Sequence, residues 1–140
     1  MKLRTYTDGG ARGNPGPAAI GVLICDMNDE IVLEHSQTIG EATNNVAEYR
    51  ALIEGMKQAL EAGADELECF LDSELVVKQL SGEYKLKNFN MQKLFDEVRK
   101  EEKKFKSVSY AHIRREERQM PRADQLVNYA LDESTRKAKR

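Results

Sequence analysis

The stretch from residue 7 to residue 17 constrains the fold of this 140-residue chain more than any other. It reads Thr-Asp-Gly-Gly-Ala-Arg-Gly-Asn-Pro-Gly-Pro. The residues before it, Leu3 to Thr7, alternate as a strand does, and the glycines, asparagine and prolines after Asp8 predict a tight loop. Asp8 is therefore expected at a strand end, beside a loop whose bare backbone can approach a ligand closely. Taken alone, the stretch fits a β-hairpin with a capping aspartate equally well.

The size and composition indicate a single globular domain covering residues 1–140. Hydrophobic residues make up 40% and charged residues 33% of the chain, which is typical of a water-soluble protein with a charged surface. No apolar run approaches the roughly 20 residues of a membrane span, and no secretory signal is recognisable. We therefore predict a cytoplasmic protein that does not contact membranes. Cys25 and Cys69 are expected to be buried free thiols, because two distant cysteines suit neither a zinc site nor a cytosolic disulfide.

Charge is distributed unevenly between the two halves of the chain, although the net charge is only −2. Residues 1–70 contain 5 Lys/Arg and 12 Asp/Glu, whereas residues 71–140 contain 17 Lys/Arg and 12 Asp/Glu. This asymmetry favours a basic surface in the second half beside an acidic site in the first. A solvated helix face with internal ion pairs accounts for the basic residues about as well.

Beyond the first strand, hydrophobic periodicity and capping residues predict four further strands and four helices. The predicted strands are 19–27, 31–38, 67–71 and 108–113. The predicted helices run from residues 43–45 to Gly63, from 74 to 80, from about 90 to 105, and from Pro121 to a frayed end at 136–140. Three strands followed by alternating helices and strands predict an α/β fold, a mixed sheet with helices on its faces.

Four acidic residues occupy positions at which this scheme can bring them together. Asp8 and Asp72 each end an apolar strand, Glu48 lies early in the first long helix, and Asp124 lies in the first turn of the last helix. Converging carboxylates repel one another unless a cation lies between them. Oxygen ligands without nearby His or Cys favour Mg²⁺ or Mn²⁺ over zinc. Two such ions roughly 4 Å apart catalyse phosphoryl transfer, so the pattern predicts metal-dependent phosphodiester cleavage, although a helix cap or solvated strand end explains any single acid.

The sequence resembles the type 1 ribonuclease H family in its compact bacterial and archaeal form. Five segments carry the resemblance: the stretch at 7–17, Thr-Asn-Asn-Val-Ala-Glu-Tyr-Arg-Ala-Leu at 43–52, Asp-Ser-Glu-Leu-Val-Val at 72–77, Gly-Glu-Tyr-Lys-Leu-Lys-Asn at 82–88, and Arg-Ala-Asp-Gln-Leu at 122–126. The resemblance implies a ribonuclease H-like five-stranded mixed sheet in the order 3-2-1-4-5, flanked by helices. It also implies hydrolysis of the RNA strand in RNA–DNA hybrids.

The resemblance also assigns roles to individual residues. Four carboxylates match the family's metal ligands for two Mg²⁺ ions, with Mn²⁺ as an alternative: Asp8, Glu48, Asp72 and Asp124. Amides that suit the hybrid's minor groove match three positions: Asn14, Asn44 and Asn45. The pocket that binds a phosphate of the DNA strand is matched by Thr43 and Asn88, and the lysines expected near that groove are Lys78, Lys85 and Lys87.

The loop before the last acid departs from the family pattern. Arg115 is the better match to the loop arginine that takes part in catalysis, whereas His112 still belongs to the fifth strand and is expected to be structural. The segment from Glu116 to Pro121 is about two residues longer than usual, and Arg118-Gln119 replaces a common asparagine. The chain also lacks the Trp-rich basic segment of some members.

Two other functions are compatible with the same residues. One is a hybrid-binding accessory protein with weak catalysis, which the altered loop leaves open. The other is a nuclease of the same fold acting on another nucleic acid, although Asn44 and Asn45 favour a substrate that contains RNA. For the leading function, an endonuclease acting on RNA–DNA hybrids, we expect a monomer without an obligate protein partner.

Overall fold

The computed structural model describes residues 1–138, which form five strands and four helices. In chain order these are β1 (Lys2–Ala11), β2 (Gly16–Cys25), β3 (Ile31–Ala42), α1 (Asn44–Glu61), β4 (Glu66–Leu71), α2 (Glu74–Leu80), α3 (Phe89–Glu102), β5 (Ser107–His112) and α4 (Met120–Ala138). The predicted fraying at 136–140 is wrong for residues 136–138, which are helical, and residues 139–140 lie outside the described part.

The sheet has the predicted order β3-β2-β1-β4-β5. β1 pairs in parallel with β4 and antiparallel with β2, and β4 pairs in parallel with β5. The last parallel pair of β1 and β4 joins Thr7 to Leu71. Asp8 and Asp72 therefore follow residues that are direct neighbours across the ladder, at the carboxyl end of the parallel strands.

Helices cover both faces of the sheet, and each face has its own hydrophobic core. On one face Leu52 and Met56 of α1 pack with residues of β2, β4 and α3. On the other face Met120 and Leu126 of α4 pack with Tyr6 and other strand residues. Within residues 1–138, these helices are too short or too polar for any of them to cross a membrane.

The two cysteines confirm the prediction of buried free thiols. Cys25 lies in β2, in the core beneath α4, and Cys69 lies in β4, in the core beneath α1. Because they face opposite sides of the sheet, they cannot form a disulfide with each other without rearrangement of the strands.

The first strand extends beyond the predicted end at Asp8. β1 continues to Ala11, and Gly9 and Gly10 pair with Ile20 and Ala19 of β2. The prediction that Asp8 ends its strand beside a glycine loop is therefore wrong, because only residues 12–15 form the bend. Asp8 instead marks the point where the parallel ladder to β4 stops while the antiparallel ladder to β2 goes on.

Candidate active site

Three carboxylates meet where the ladder between β1 and β4 ends. Asp8 lies in β1, Glu48 lies in the second turn of α1, and Asp72 directly follows β4. One carboxylate oxygen from each lies within 4.8 Å of those of the other two. The predicted convergence of these three acids is therefore present in the fold.

Burial and mutual repulsion disfavour the charged forms of two of these acids. Burial, and then the negative charge of Asp72, raise the pKa of Asp8 to about 8. Burial, and then the charges of Asp8 and Asp72, raise the pKa of Glu48 well above its usual value. The energetic cost of holding these groups together must therefore be offset by protonation or by a bound cation.

The donor atoms of this cluster suit a hard divalent cation. Glu48 Oε1 accepts a hydrogen bond from the Gly9 backbone N–H at 3.3 Å. Its other oxygen, Oε2, is buried and has no hydrogen-bond partner among the described residues. A buried carboxylate oxygen without a partner is costly, and carboxylate oxygens are the ligands that Mg²⁺ and Mn²⁺ prefer.

Asp124 faces the same cleft from the other side of the sheet. α4 begins at Met120, so Asp124 lies in its second turn rather than in the predicted first turn. Its carboxylate adds to the forces that raise the pKa of Asp8, after burial and Asp72. Asn128, four residues later, donates from Nδ2 to the Asp124 carboxylate at 3.4 Å. Asp124 is thus near the three clustered acids but outside the group whose oxygens lie within 4.8 Å of each other.

Arg115 reaches the acidic cluster from the loop between β5 and α4. Its Nε lies 3.4 Å from Asp72 Oδ2, and the charge of Asp72 raises the pKa of the guanidinium. The side chain is 71% exposed, so this cation can contact a ligand in the cleft. His112 belongs to β5, as predicted. It is the exposed last residue of that strand and is not among the residues lining the cleft.

Arg118 and Gln119, at which the sequence departs from the family pattern, anchor the loop between β5 and α4. The Arg118 guanidinium lies 4.8 Å from the centre of the Phe70 ring. Gln119 donates from Nε2 to the backbone carbonyl of Asp29 at 3.0 Å. The longer loop is therefore attached to the sheet and to the β2–β3 turn.

Two of the three predicted minor-groove asparagines, Asn14 and Asn44, accept hydrogen bonds from backbone N–H groups. Asn14 Oδ1 accepts from the Asn44 backbone N–H at 3.0 Å. Asn44 Oδ1 accepts from the Ala11 backbone N–H at 2.9 Å. Because the side-chain oxygens of Asn14 and Asn44 already accept hydrogen bonds, their N–H groups remain available to donate to a ligand.

Two neighbouring clefts contain the predicted site residues. The first, of about 450 Å³, holds the four acids and Arg115 together with Asn44 and Asn45. The second, of about 390 Å³, is lined by Asn14, Thr43, Asn45, Gln79, Lys85, Leu86, Lys87, Asn88 and Met91. Asn45 lines both clefts, which are therefore contiguous along one surface.

The two predicted phosphate-pocket residues also cap helices. Thr43 Oγ1 accepts from the Val46 backbone N–H at the start of α1, and Asn88 Oδ1 accepts from the Asn90 N–H at the start of α3. Of the predicted lysines, Lys78 instead pairs with Glu74 at 2.7 Å and does not line the second cleft.

Asn128 and Gln79 are two of the polar residues lining these clefts that were not predicted from the sequence. Asn128 contacts Asp124 and could have been found from its spacing of four residues in a helix. Gln79 lines the second cleft and accepts a hydrogen bond from the Tyr49 hydroxyl at 2.6 Å. No sequence signal indicates Gln79, because its position depends on how α2 packs against α1.

Comparison with known proteins places this architecture in a defined group. Residues 6–130 match the sequence model of the reverse transcriptase-like family. Ribonuclease HI of Halobacterium salinarum is 40% identical over 95% of this chain and 66% of its own length. A bifunctional protein of Mycobacterium tuberculosis is 41% identical over 99% of this chain, but the chain spans only 38% of that relative's length.

Solved structures agree with these sequence matches. RNase H1 from Halobacterium salinarum superimposes with a TM-score of 0.91 at 40% identity, covering 95% of this chain and 99% of that one. LC11-RNase H1, solved in complex with an RNA/DNA hybrid, superimposes with a TM-score of 0.89 at 42% identity, again covering 95% and 99%.

The fold and the acidic cleft together define a ribonuclease H-like α/β protein. The sheet order, the position of the acids at the end of the parallel ladder, and the similarity over nearly the whole chain all agree. The chain belongs to the type 1 ribonuclease H family.

Proposed function

We propose that this chain is a metal-dependent endonuclease that hydrolyses the RNA strand of RNA–DNA hybrids, and that residues 1–140 act as one catalytic domain. The observation that carries this proposal is the meeting of Asp8, Glu48 and Asp72 at the end of the parallel ladder. Family membership and the hybrid-bound structure of LC11-RNase H1 support the substrate.

Asp8, Glu48, Asp72 and Asp124 are the residues that we propose hold two Mg²⁺ ions, with Mn²⁺ as an alternative. Such ions, when bound, supply a nucleophilic water and stabilise the charge that develops on the scissile phosphate. The buried, unpartnered Glu48 Oε2 and the raised pKa values of Asp8 and Glu48 support a cation at this place.

Arg115 in the first cleft and three asparagines distributed over the two clefts bind and orient the substrate in this proposal. The exposed Arg115 guanidinium, beside Asp72, contributes positive charge near the scissile phosphate or the released product. The amides of Asn14, Asn44 and Asn45 donate hydrogen bonds to 2′-hydroxyls and base edges of the hybrid, which is the recognition that RNA-containing duplexes permit.

The second cleft binds the DNA strand in this proposal. Thr43 and Asn88 contact one DNA phosphate, and Lys85 and Lys87 on the same cleft add positive charge. Because Asn45 lines both clefts, a duplex can lie across them with its RNA strand over the acids and its DNA strand over the lysines.

The test compares end-labelled hybrid, double-stranded RNA and double-stranded DNA with the purified chain in Mg²⁺, Mn²⁺ or EDTA. We expect internal cleavage of the RNA strand of the hybrid alone, in either metal and not in EDTA. Asp8→Asn is the matched control, because it removes one charge at constant size. Tight hybrid binding without cleavage would support the accessory protein instead, and preferential cleavage of another nucleic acid would support the alternative nuclease.

A further inference from the structure

Three polar side chains of the second cleft, those of Thr43, Asn88 and Gln79, already accept hydrogen bonds through their oxygens. Thr43 Oγ1 accepts from Val46 N–H at 3.2 Å, and Asn88 Oδ1 accepts from Asn90 N–H at 2.8 Å. Gln79 Oε1 accepts from the Tyr49 hydroxyl at 2.6 Å. Each group therefore has its hydroxyl or amide hydrogens left for a ligand, and a pocket that presents donors beside lysines favours an anion.

Gln79 owes its orientation to a residue that lies outside the cleft. Tyr49 is fully buried in α1, and its hydroxyl donates to Gln79 Oε1 at 2.6 Å. The Gln79 amide therefore cannot flip without leaving the buried O–H unpaired. The Gln79 amide nitrogen is consequently the end of the side chain offered to the cleft.

The short helix that carries Gln79 is also held from its other side. Arg99 of α3 donates to the backbone carbonyl of Leu80, and its guanidinium pairs with Glu102 at 2.9 Å. The position of Gln79 is therefore set by contacts to both α1 and α3, which reduces the entropy lost when it binds a ligand.

From this geometry we infer that Gln79 contacts a phosphate of the DNA strand through its amide N–H, and that Tyr49 is the residue that positions it. This inference rests on the proposed function, because the proposed function supplies the DNA strand. Gln79 would add a third neutral hydrogen-bond donor to those of Thr43 and Asn88. Phosphate binding in the second cleft would then depend partly on the hydrogen bond between Tyr49 of α1 and Gln79 of α2.

The first experiment measures the Kd for a fluorescent RNA–DNA hybrid in EDTA, so that binding is read without turnover. We expect Gln79→Ala to weaken binding roughly ten- to a hundredfold, the range of one lost charge-assisted hydrogen bond. Gln79→Glu keeps an acceptor for Tyr49 but replaces the donor with an anion, so it should weaken binding at least as much. Binding by Gln79→Ala within twofold of the unmodified chain would overturn the inference.

The second experiment separates positioning from a general loss of stability. Tyr49→Phe should weaken binding, but adding it to Gln79→Ala should weaken binding no further, because Tyr49 acts through Gln79. Tyr110→Phe is the matched control, since the hydroxyl of this half-buried residue also donates at 2.6 Å, to Glu102. Equal losses of binding in Tyr49→Phe and Tyr110→Phe, or additive losses in the double variant, would overturn the role of Tyr49.

The third experiment identifies the ligand as a DNA phosphate. Hybrids with one neutral methylphosphonate at successive DNA positions should reveal a phosphate whose loss weakens binding by the unmodified chain. The same substitution should weaken binding by Gln79→Ala distinctly less. If each methylphosphonate weakened binding by Gln79→Ala as much as it weakened binding by the unmodified chain, the inference would be overturned. If the hybrid is bound with this Gln79 dependence but never cleaved, only the proposed endonuclease activity fails.

Discussion

The α-carbon of Gly9 in β1 lies directly against the carbonyl group of Ala47 in α1. A β-carbon added to Gly9 would be 2.2 Å from both the carbonyl carbon and the carbonyl oxygen of Ala47. This close approach brings together Asp8, which precedes Gly9, and Glu48, which follows Ala47. Glu48 accepts a hydrogen bond from the Gly9 N–H, and its carboxylate lies next to that of Asp8. The contact between strand and helix thus positions two of the acids.

Replacing Gly9 by alanine should separate α1 from β1. We expect Gly9→Ala to lower the free energy of unfolding by about 3 kcal/mol or more, because backbone atoms cannot move aside as a flexible side chain can. Urea unfolding followed by circular dichroism measures the change. Gly10→Ala is the matched control, because among residues 1–138 its β-carbon would meet only Val127 Cγ1, at 3.6 Å. Equal stability of the two variants would contradict this account of Gly9.

Asp8→Asn should stabilise the metal-free protein while abolishing cleavage. The folded pKa of Asp8 is about 8, whereas an unfolded aspartate titrates near about 3.9. Between these values the folded chain retains a proton that the unfolded chain has lost, so stability falls as the pH rises from about 4 to about 8. Asparagine cannot ionise, and the variant should therefore gain at least about 1 kcal/mol at pH 8.

Thermal unfolding in EDTA across pH 4 to 8 tests this prediction. The melting temperature of Asp8→Asn should exceed that of the unmodified chain by a few degrees at pH 8, and the difference should shrink toward pH 4. Added Mg²⁺ should stabilise the unmodified chain more than the variant, because a ligand stabilises the state that binds it. A variant less stable than the unmodified chain at pH 8 in EDTA would argue against strain among these acids.

Arg115→Ala should reduce hybrid cleavage roughly tenfold or more with little effect on folding, since a positioned charge next to the reacting phosphate is worth at least that much. The side chain is largely exposed and pairs with Asp72, so its removal leaves the core intact. Arg114→Ala serves as control, because its guanidinium pairs only with Glu116 and Glu117 within the described residues. Steady-state cleavage rates should differ clearly between the two, and equal rates would remove Arg115 from the site.

Substitutions of Asn44 should separate its structural and binding roles. Asn44→Asp keeps the oxygen that accepts from Ala11 N–H but replaces the amide donor with a negative charge. We expect it to raise KM for the hybrid at least about tenfold while thermal stability stays close to that of the unmodified chain. Asn44→Ala should raise KM and also lower thermal stability, because it removes both the amide donor and the oxygen that accepts from Ala11 N–H. If Asn44→Asp cleaves with an unchanged KM, this amide does not contact the substrate.

Much of the acid arrangement follows from local patterns in the chain. Asp8 and Asp72 come after apolar strand residues, and Glu48 falls one turn into a helix that begins at a good N-cap. Strand and helix periodicity therefore places three acids near one end of the sheet. The strand order itself came from the family resemblance, because parallel pairing of β1 and β4 joins residues more than 60 positions apart.

Other features have no local signature. Gly9 and Gly10 have turn-like composition, yet both pair with β2 in the sheet. At Gly9 the backbone of α1 occupies the space that a side chain would take. Likewise, only the packing of α2 on α1 brings Gln79 to Tyr49, and only the loop's attachment at Arg118 and Gln119 carries Arg115 to Asp72.

By itself, then, the sequence determined which residues can supply acids, amides and helix caps, since those depend on residue type and on neighbours within a turn or two. The tertiary structure alone decided that three carboxylates lie close together, and that one of their oxygens is buried without a hydrogen-bond partner in the part of the chain that the structure describes. It also decided that the amides of the second cleft present donors. The physical reason is that the clustering of the carboxylates and the orientation of the amides both depend on contacts between elements that are distant in the chain. Local sequence patterns do not predict the distances or the burial that such contacts produce.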